Sequence, residues 1–208
     1  MNTETLNAIH NAVEKMRHST LHNYIVPGLT SHLIGGDDKH GRVRLFHAER
    51  ETREFITPHS HRFDFTCVVL RGEVTNTIFE PGTPCDEQYV MSTINQVCGA
   101  NGLNEYVHTR DKEPSRWRAI EYIYGTGDTY SMTHDQIHSI KFARGTRVLF
   151  FEGPQLSITS SMIEPWENGK VVPTFKTEPW MFEKNTSEEA MSDLMAESQL
   201  MGLYDRRT

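Results

Sequence analysis

Thr57-Pro58-His59-Ser60-His61-Arg62-Phe63-Asp64-Phe65, running on as Thr66-Cys67-Val68-Val69-Leu70-Arg71-Gly72-Glu73-Val74, is the stretch whose reading decides the fold. Side chains two apart on an extended strand leave the same face. His59 and His61 therefore point together, and two imidazoles on one face are half of a metal site. An H-x-H pair also arises by chance, so this one needs a third ligand elsewhere. The β-prone apolar run behind the pair stops at Arg71-Gly72-Glu73, where glycine suits a tight turn. A second strand follows from Glu73 to Phe79, so a hairpin is expected directly after the histidines.

Outward from this stretch the chain reads as short strands broken by turn formers. Arg42 to Ala48 is a strand, and Thr52 to Thr57 another that feeds the His pair. Beyond the hairpin come Gln88–Val97, Trp117–Tyr124, Thr129–His134 and Ile137–Phe142, separated by Gly- and Pro-rich turns. Arg147–Glu152 is apolar on both faces and is expected to be buried; Leu156–Ile163 follows it. Turns recurring at intervals of roughly eight to twelve residues favour a β-sandwich or barrel over alternating βα units. Asn23 to His40 is less regular, with turn signals at Pro27-Gly28 and Gly35-Gly36-Asp37-Asp38. A packing helix is expected at each end. One spans Thr3 to Met16, with Leu6, Ile9, Val13 and Met16 on one side; the other opens at the capping box Thr186-Ser187-Glu188-Glu189. Trp166 and Trp180 are expected to cover an edge of the sheet. The division is an N-terminal helix and lead-in over 1–41, a β-barrel over 42–163 and a C-terminal extension over 164–208.

The formal charge of −7 over 208 residues argues against a nucleic-acid backbone or an anionic membrane as the main partner. No apolar run has the length to span a bilayer, and the first residues carry no export pattern. Cys67, Cys85 and Cys98 are odd in number, with no two separated by only two residues, which argues against a disulfide framework or a zinc knuckle. A reduced, cytoplasmic protein is the expectation. His10, His18 and His22 are expected to be solvated.

The third histidine has two candidates in Thr133-His134-Asp135-Gln136-Ile137-His138. His134 and His138 have the H-x-x-x-H spacing of a metalloprotease helix, but that motif needs Glu in second place, and Asp135 stands there. The residues from Ile137 to Phe142 alternate as on a strand, so the helical context is missing too. The other arrangement is a turn at Thr133 to Gln136 with His138 on the strand after it.

At these residues the sequence resembles the cupin superfamily. Its first motif is H-x-H, three or four residues, an acid, six residues and Gly, which His59, His61 and Gly72 fit. Its second motif carries one His after a turn several strands later, which His138 fits. The resemblance covers roughly Arg42 to Ile163 and implies an all-β double-stranded β-helix, a jelly-roll barrel. It implies one divalent metal on His59, His61 and His138, with Fe(II) favoured and Zn, Mn or Ni as alternatives. The acid position falls on Phe65, while Asp64 faces away by alternation. Asp64 would be a fourth ligand, and His134 is the rival to His138 for the third position.

Similar three-His cupins include thiol dioxygenases. The expected function is accordingly a non-haem iron(II) dioxygenase acting on a small thiol or carboxylic acid. A metal-dependent isomerase or lyase on a sugar or keto acid is the alternative, and a non-enzymatic ligand-binding barrel the third. Tyr130 is the expected catalytic residue, a phenol able to donate to the reacting group, with Tyr122 and Tyr124 as neighbours. Arg44, Arg53, Arg71 and Arg118 are candidates to hold a substrate carboxylate. Asn76 has two readings, reaching the pocket or, the favoured one, surface or turn use, and Cys67 is expected as a small buried hydrophobe. A small-molecule substrate is expected, and edge strands in such barrels allow a homodimer.

Overall fold

The computed structural model describes residues 20–22, 24, 28–37, 40–52, 57–98 and 104–172. The two expected terminal helices, Arg53 and Trp180 lie outside the described residues. Within them the chain is all-β. In order the strands are β1 (Thr20–Leu21), β2 (Leu29–Asp37), β3 (Gly41–Ala48), β4 (Phe65–Arg71) and β5 (Glu73–Pro81). Then come β6 (Glu87–Cys98), β7 (Asn104–Arg110), β8 (Ser115–Gly125), β9 (Thr129–Met132) and β10 (Ile137–Phe142). The last are β11 (Arg147–Glu152), β12 (Thr159–Glu167) and β13 (Lys170–Val171).

They form two antiparallel sheets. One has the order β1-β2-β3-β11-β4-β9, the other β10-β5-β8-β6-β12-β13, with β7 added beside β6. From β8 onward successive strands change sheet: β9 joins the first, β10 the second, β11 the first and β12 the second. This alternation is the jelly-roll winding expected of the chain.

Three local expectations are corrected. β4 and β5 are not a hairpin: β4 pairs with β11 and β9, and β5 with β10 and β8. The turn between them carries the chain from one sheet to the other. Gly72 there has φ +82°, and a Cβ would sit 2.5 Å from Thr146 Oγ1 and 2.8 Å from Thr146 Cα, so glycine is required by space as well as by conformation. Leu29–Asp37, read as irregular, is a strand; its register against β3 shifts between Leu33 and Gly35, so Ile34 is the extra residue of a bulge, while Gly35 and Gly36 pair with Val43 and Arg42. β11 is central in its sheet, yet Phe151 is 40% exposed, so only its Val148 and Phe150 side is core.

Alternation along β4 turns Phe65, Cys67 and Val69 inward, where they meet Val148 and Phe150 of β11 and Val74 and Phe142 from the opposite sheet. A second cluster of Phe79, Tyr89, Ile137 and Ile163 fills the other part of the second sheet. Each such side chain contributes about 1.5–3 kcal/mol on burial, so these rows set the spacing of the sheets. Among the described residues no helix is long and apolar enough to cross a membrane.

Candidate metal centre

His59 is not part of a long strand. It forms isolated antiparallel bridges to His138 at the start of β10 and to Met162 of β12. His59 N donates to His138 O at 2.9 Å and His138 N to His59 O at 2.9 Å. On the other side Ser60 N donates to Ser161 O at 2.7 Å and Ile163 N to Pro58 O at 2.9 Å. β10 and β12 are far apart in the strand order of the second sheet, so this segment lies between two strands that do not neighbour each other there and closes that sheet toward a barrel. Bridge partners in an antiparallel ladder project to the same face. Closure therefore sets His59 and His138 on one face, and His61 follows two residues on.

The three imidazoles converge. Their ligand atoms all lie within 4.8 Å of one another. His61 Nε2 and His138 Nε2 are 2.9 Å apart, and the ring centroids are separated by 4.9, 5.1 and 5.3 Å. Two nitrogens each about 2.1 Å from one ion sit about 3.0–3.4 Å apart, so the cluster has the dimensions of a ligand set.

Tautomers point the same way. His59 Nδ1 donates to Thr57 O at 2.8 Å, which leaves Nε2 with its lone pair for the centre. His138 Nδ1 donates to Asn76 Oδ1 at 2.7 Å, and Asn76 Nδ2 in turn faces Met132 Sδ at 3.3 Å. His138 Nε2 is thus an acceptor, and the His61 nitrogen opposite must bring a proton or share a cation with it. Holding the outer nitrogen of a ligating imidazole is how proteins fix its ring and tautomer. The sequence favoured a surface or turn for Asn76 over the pocket; it is 1% exposed on β5 and takes the outer nitrogen of His138.

Burial lowers the pKa of all three rings. His61 is pushed to about 3, first by burial and then by His59 and Arg62. His138 falls well below its usual value through burial, then the neighbouring His59 and His61. His59 is lowered by burial, partly offset by its bond to Thr57. All three are neutral at physiological pH, as metal ligands must be.

Asp64 and His134 are not brought to the cluster. Asp64 is exposed, and its Oδ1 accepts from His134 N at 2.7 Å and lies 3.1 Å from His134 Nδ1. The ring of Phe65 occupies the place of the motif's acid, 4.8 Å from His61 and 5.5 Å from His138 between centroids.

The histidines open onto a cavity of about 300 Å³, small for a ligand site. Its walls are aromatic, with Phe46, Phe63, Phe65, Phe142, Phe150 and Tyr24 among them. Tyr130 also lines it; its hydroxyl is buried and, among the described residues, meets no partner in hydrogen-bond geometry. Burial, then Cys67, raises the Tyr130 pKa well above its usual value, so the phenol keeps its proton. Cys67 sits opposite Tyr130 in the β4–β9 register, near enough for each to act on the other's charge state, though not in hydrogen-bond geometry. Burial pushes its thiol up to about 12, in keeping with a small hydrophobe. Tyr124 stacks on Tyr130 at 4.4 Å, and Tyr122 is exposed.

The arginine at the cavity is one the sequence passed over. Arg62 lines it, with Nη1 donating to Gln96 Oε1 at 3.0 Å. The chain bends at Arg62 and Phe63, and both line the same space as His61. Arg44 lies behind the wall, its guanidinium 5.6 Å from the Tyr24 ring and its Nε 3.7 Å from Glu152 Oε2. Glu152 reaches the cavity and is also 3.5 Å from Arg42 Nη1. Arg71 is exposed, and Arg118 pairs with Glu80 at 2.9 Å on the surface.

No family model matches the chain, and neither does any curated protein. Among solved structures it is similar to the hydroxypropylphosphonic acid epoxidase from S. wedmorenis, at 13% identity and TM-score 0.38, over 64% of this chain and 53% of that one. It is similar to HEPD of Streptomyces albus, solved with 2-hydroxyethylphosphonate and Fe(II), at 12% identity and TM-score 0.36, over 62% of this chain. A cupin superfamily protein from Desulfitobacterium hafniense is matched at 11% identity and TM-score 0.34, over 61% of this chain and 78% of that one. The match spans about half of the epoxidase and 22% of HEPD.

Proposed function

We propose that this cupin-type barrel is a metal-dependent enzyme, a non-haem iron(II) dioxygenase acting on a small thiol or carboxylic acid. The observation that carries the reading is the set of three neutral imidazoles within 4.8 Å, two with their outer nitrogens tied, facing an apolar cavity. His59, His61 and His138 would hold the ion. A divalent cation on three uncharged ligands keeps its full charge and open coordination positions, and in the case of Fe(II) it supplies redox chemistry with dioxygen; Zn, Mn and Ni are the alternatives.

The remaining roles belong to the chain. The phenylalanine walls exclude water and so strengthen electrostatic interactions at the centre. Asn76 holds His138 in the tautomer that presents Nε2. Tyr130 carries a proton on Oη that no described residue accepts in hydrogen-bond geometry, in the wall of the reaction space. A donor placed there would hydrogen-bond to negative charge developing on the substrate, a contribution of order 10²–10³ in rate for one such group. In this reading Tyr130 is the catalytic residue.

Oxygen uptake by the purified protein, with Fe(II), Zn(II) or no metal added and a panel of small thiols and acids, tests the proposal. Uptake that requires both Fe(II) and a thiol or acid supports it. Turnover of a substrate under nitrogen with zinc or manganese would replace it with the isomerase or lyase class.

A further inference from the structure

The three histidines are not held alike. His59 and His138 exchange backbone hydrogen bonds, and their outer nitrogens are on Thr57 O and Asn76 Oδ1. His61 belongs to no strand, and among the described residues its outer nitrogen meets no hydrogen-bond partner. Phe63 and Phe65 flank its ring at 5.2 and 4.8 Å between centroids, contacts that confine the ring but give its nitrogens nothing to bond. Its aim therefore depends on where the backbone holds it.

That backbone is clamped by the turn before β10. His61 N donates to His134 O at 3.1 Å, and His134 N donates to Asp64 Oδ1 at 2.7 Å. Both backbone groups of one turn residue thus grip the segment from His61 to Asp64. The turn is itself stiffened: Thr133 N donates to Gln136 Oε1 at 2.9 Å, Gln136 N to Thr133 O at 3.2 Å and Thr133 Oγ1 to Asp135 Oδ1 at 2.7 Å. On the other side Asp64 O accepts from Gly153 N at 2.9 Å, and Arg62 O from Leu156 N at 2.7 Å and Ser157 N at 3.1 Å. The bend at Arg62 and Phe63 lies between these supports. Asp64 contributes a side chain to the clamp, and a carboxylate accepting from a backbone N–H is roughly twice as strong a bond as a neutral pair. Without it the turn is tied to this segment through the His61 amide.

Given the reading of His61 as a metal ligand, on which this rests, we infer that Asp64 is a positioning residue: its carboxylate holds the His134 amide, and the turn so held keeps His61 aimed at the metal. Chelator competition for Zn(II) and the visible absorption of Co(II)-loaded protein, both on the full-length chain, test it in Asp64→Ala, Asp64→Asn and His134→Ala. Asp64→Ala removes the acceptor and is expected to lower Zn(II) affinity about tenfold, the lower end for residues that orient a ligand, and to shift the Co(II) bands. Asp64→Asn keeps an acceptor oxygen and His134→Ala keeps both backbone groups, so affinity and bands are expected near wild type in each. In metal-free protein the His61 amide is expected to exchange with solvent deuterium about tenfold faster in Asp64→Ala than in wild type.

Wild-type affinity and bands in Asp64→Ala overturn the inference. An equal loss in Asp64→Asn also overturns it, being the mark of a carboxylate that ligates the metal or acts by charge. So does a loss in His134→Ala as large as in Asp64→Ala, since the pair of side chains would then be the holding contact. A wild-type chain that takes up no metal defeats the metal-enzyme reading by itself, and exchange in the metal-free protein then decides the clamp. A faster rate in Asp64→Ala leaves Asp64 as the group that positions His61, and an equal rate overturns it.

Discussion

Replacing Asn76 by Leu keeps the side chain's size and removes its acceptor. In the folded protein Asn76 Oδ1 takes the Nδ1 proton of His138 at 2.7 Å, and both residues are buried. With Leu there, His138 keeps a buried N–H without a partner, which costs about 1–3 kcal/mol of stability. The ring also loses the bond that fixes its tautomer and aim, and changes of this kind lower metal affinity about 10–100-fold. The two effects add in a way that can be measured. At free metal near 100 times the dissociation constant, binding stabilises the fold by about 2.7 kcal/mol; a hundredfold loss of affinity leaves about 0.4 kcal/mol. Urea unfolding with and without metal should therefore show a large metal-dependent shift in wild type and almost none in Asn76→Leu. The apo proteins should differ by the hydrogen-bond cost alone. Chelator competition gives the affinity directly. Equal metal affinity in the two proteins would refute the reasoning, because His138 would then not be a ligand held by Asn76.

Other perturbations have equally defined outcomes. Tyr130→Phe deletes a buried hydroxyl that has no hydrogen-bond partner among the described residues, so the metal-free variant should melt no lower than wild type while oxygen uptake falls about a hundredfold; a lower melting temperature would mean that the hydroxyl is structural. The buried histidines have folded pKa values below the unfolded value near 6.5, with His61 at about 3 and His32 at about 4. The unfolded chain thus binds more protons as pH falls from 6.5 toward 3, and apo stability should drop by about 1.4 kcal/mol per unit for each such ring fully in that window. Urea midpoints at pH 7.5 and pH 5 check this, and equal midpoints would contradict it. Gly72→Val forces a Cβ onto Thr146 at positive φ and should cost more than about 2 kcal/mol by thermal denaturation.

The three histidines that cluster were legible because their placement follows from rules that act locally. His59 and His61 share a face at a spacing of two, and His138 begins a strand whose alternation is plain from Ile137 to Phe142. What pairs with what was not legible. The run Phe65–Glu73–Phe79 reads as a hairpin because a glycine turn between two β-prone segments looks the same whether the strands pair or part into two sheets. β2 was hidden by Gly35-Gly36, which are turn formers in isolation and paired strand residues once β3 supplies the register, with the bulge at Ile34 before them. Asn76 carries no signal of its own: a polar residue among β-prone neighbours gains its meaning from a histidine sixty-two positions on. Arg62 was not among the candidate arginines, because only the bend at Arg62 and Phe63 brings it to the cavity.

Elemental analysis of the purified wild-type, His138→Ala and His134→Ala proteins tests the central claim most directly. One divalent ion per chain is expected in wild type and in His134→Ala, and close to none in His138→Ala. Equal metal in wild type and His138→Ala, or loss of metal on changing His134, would contradict the three-imidazole centre.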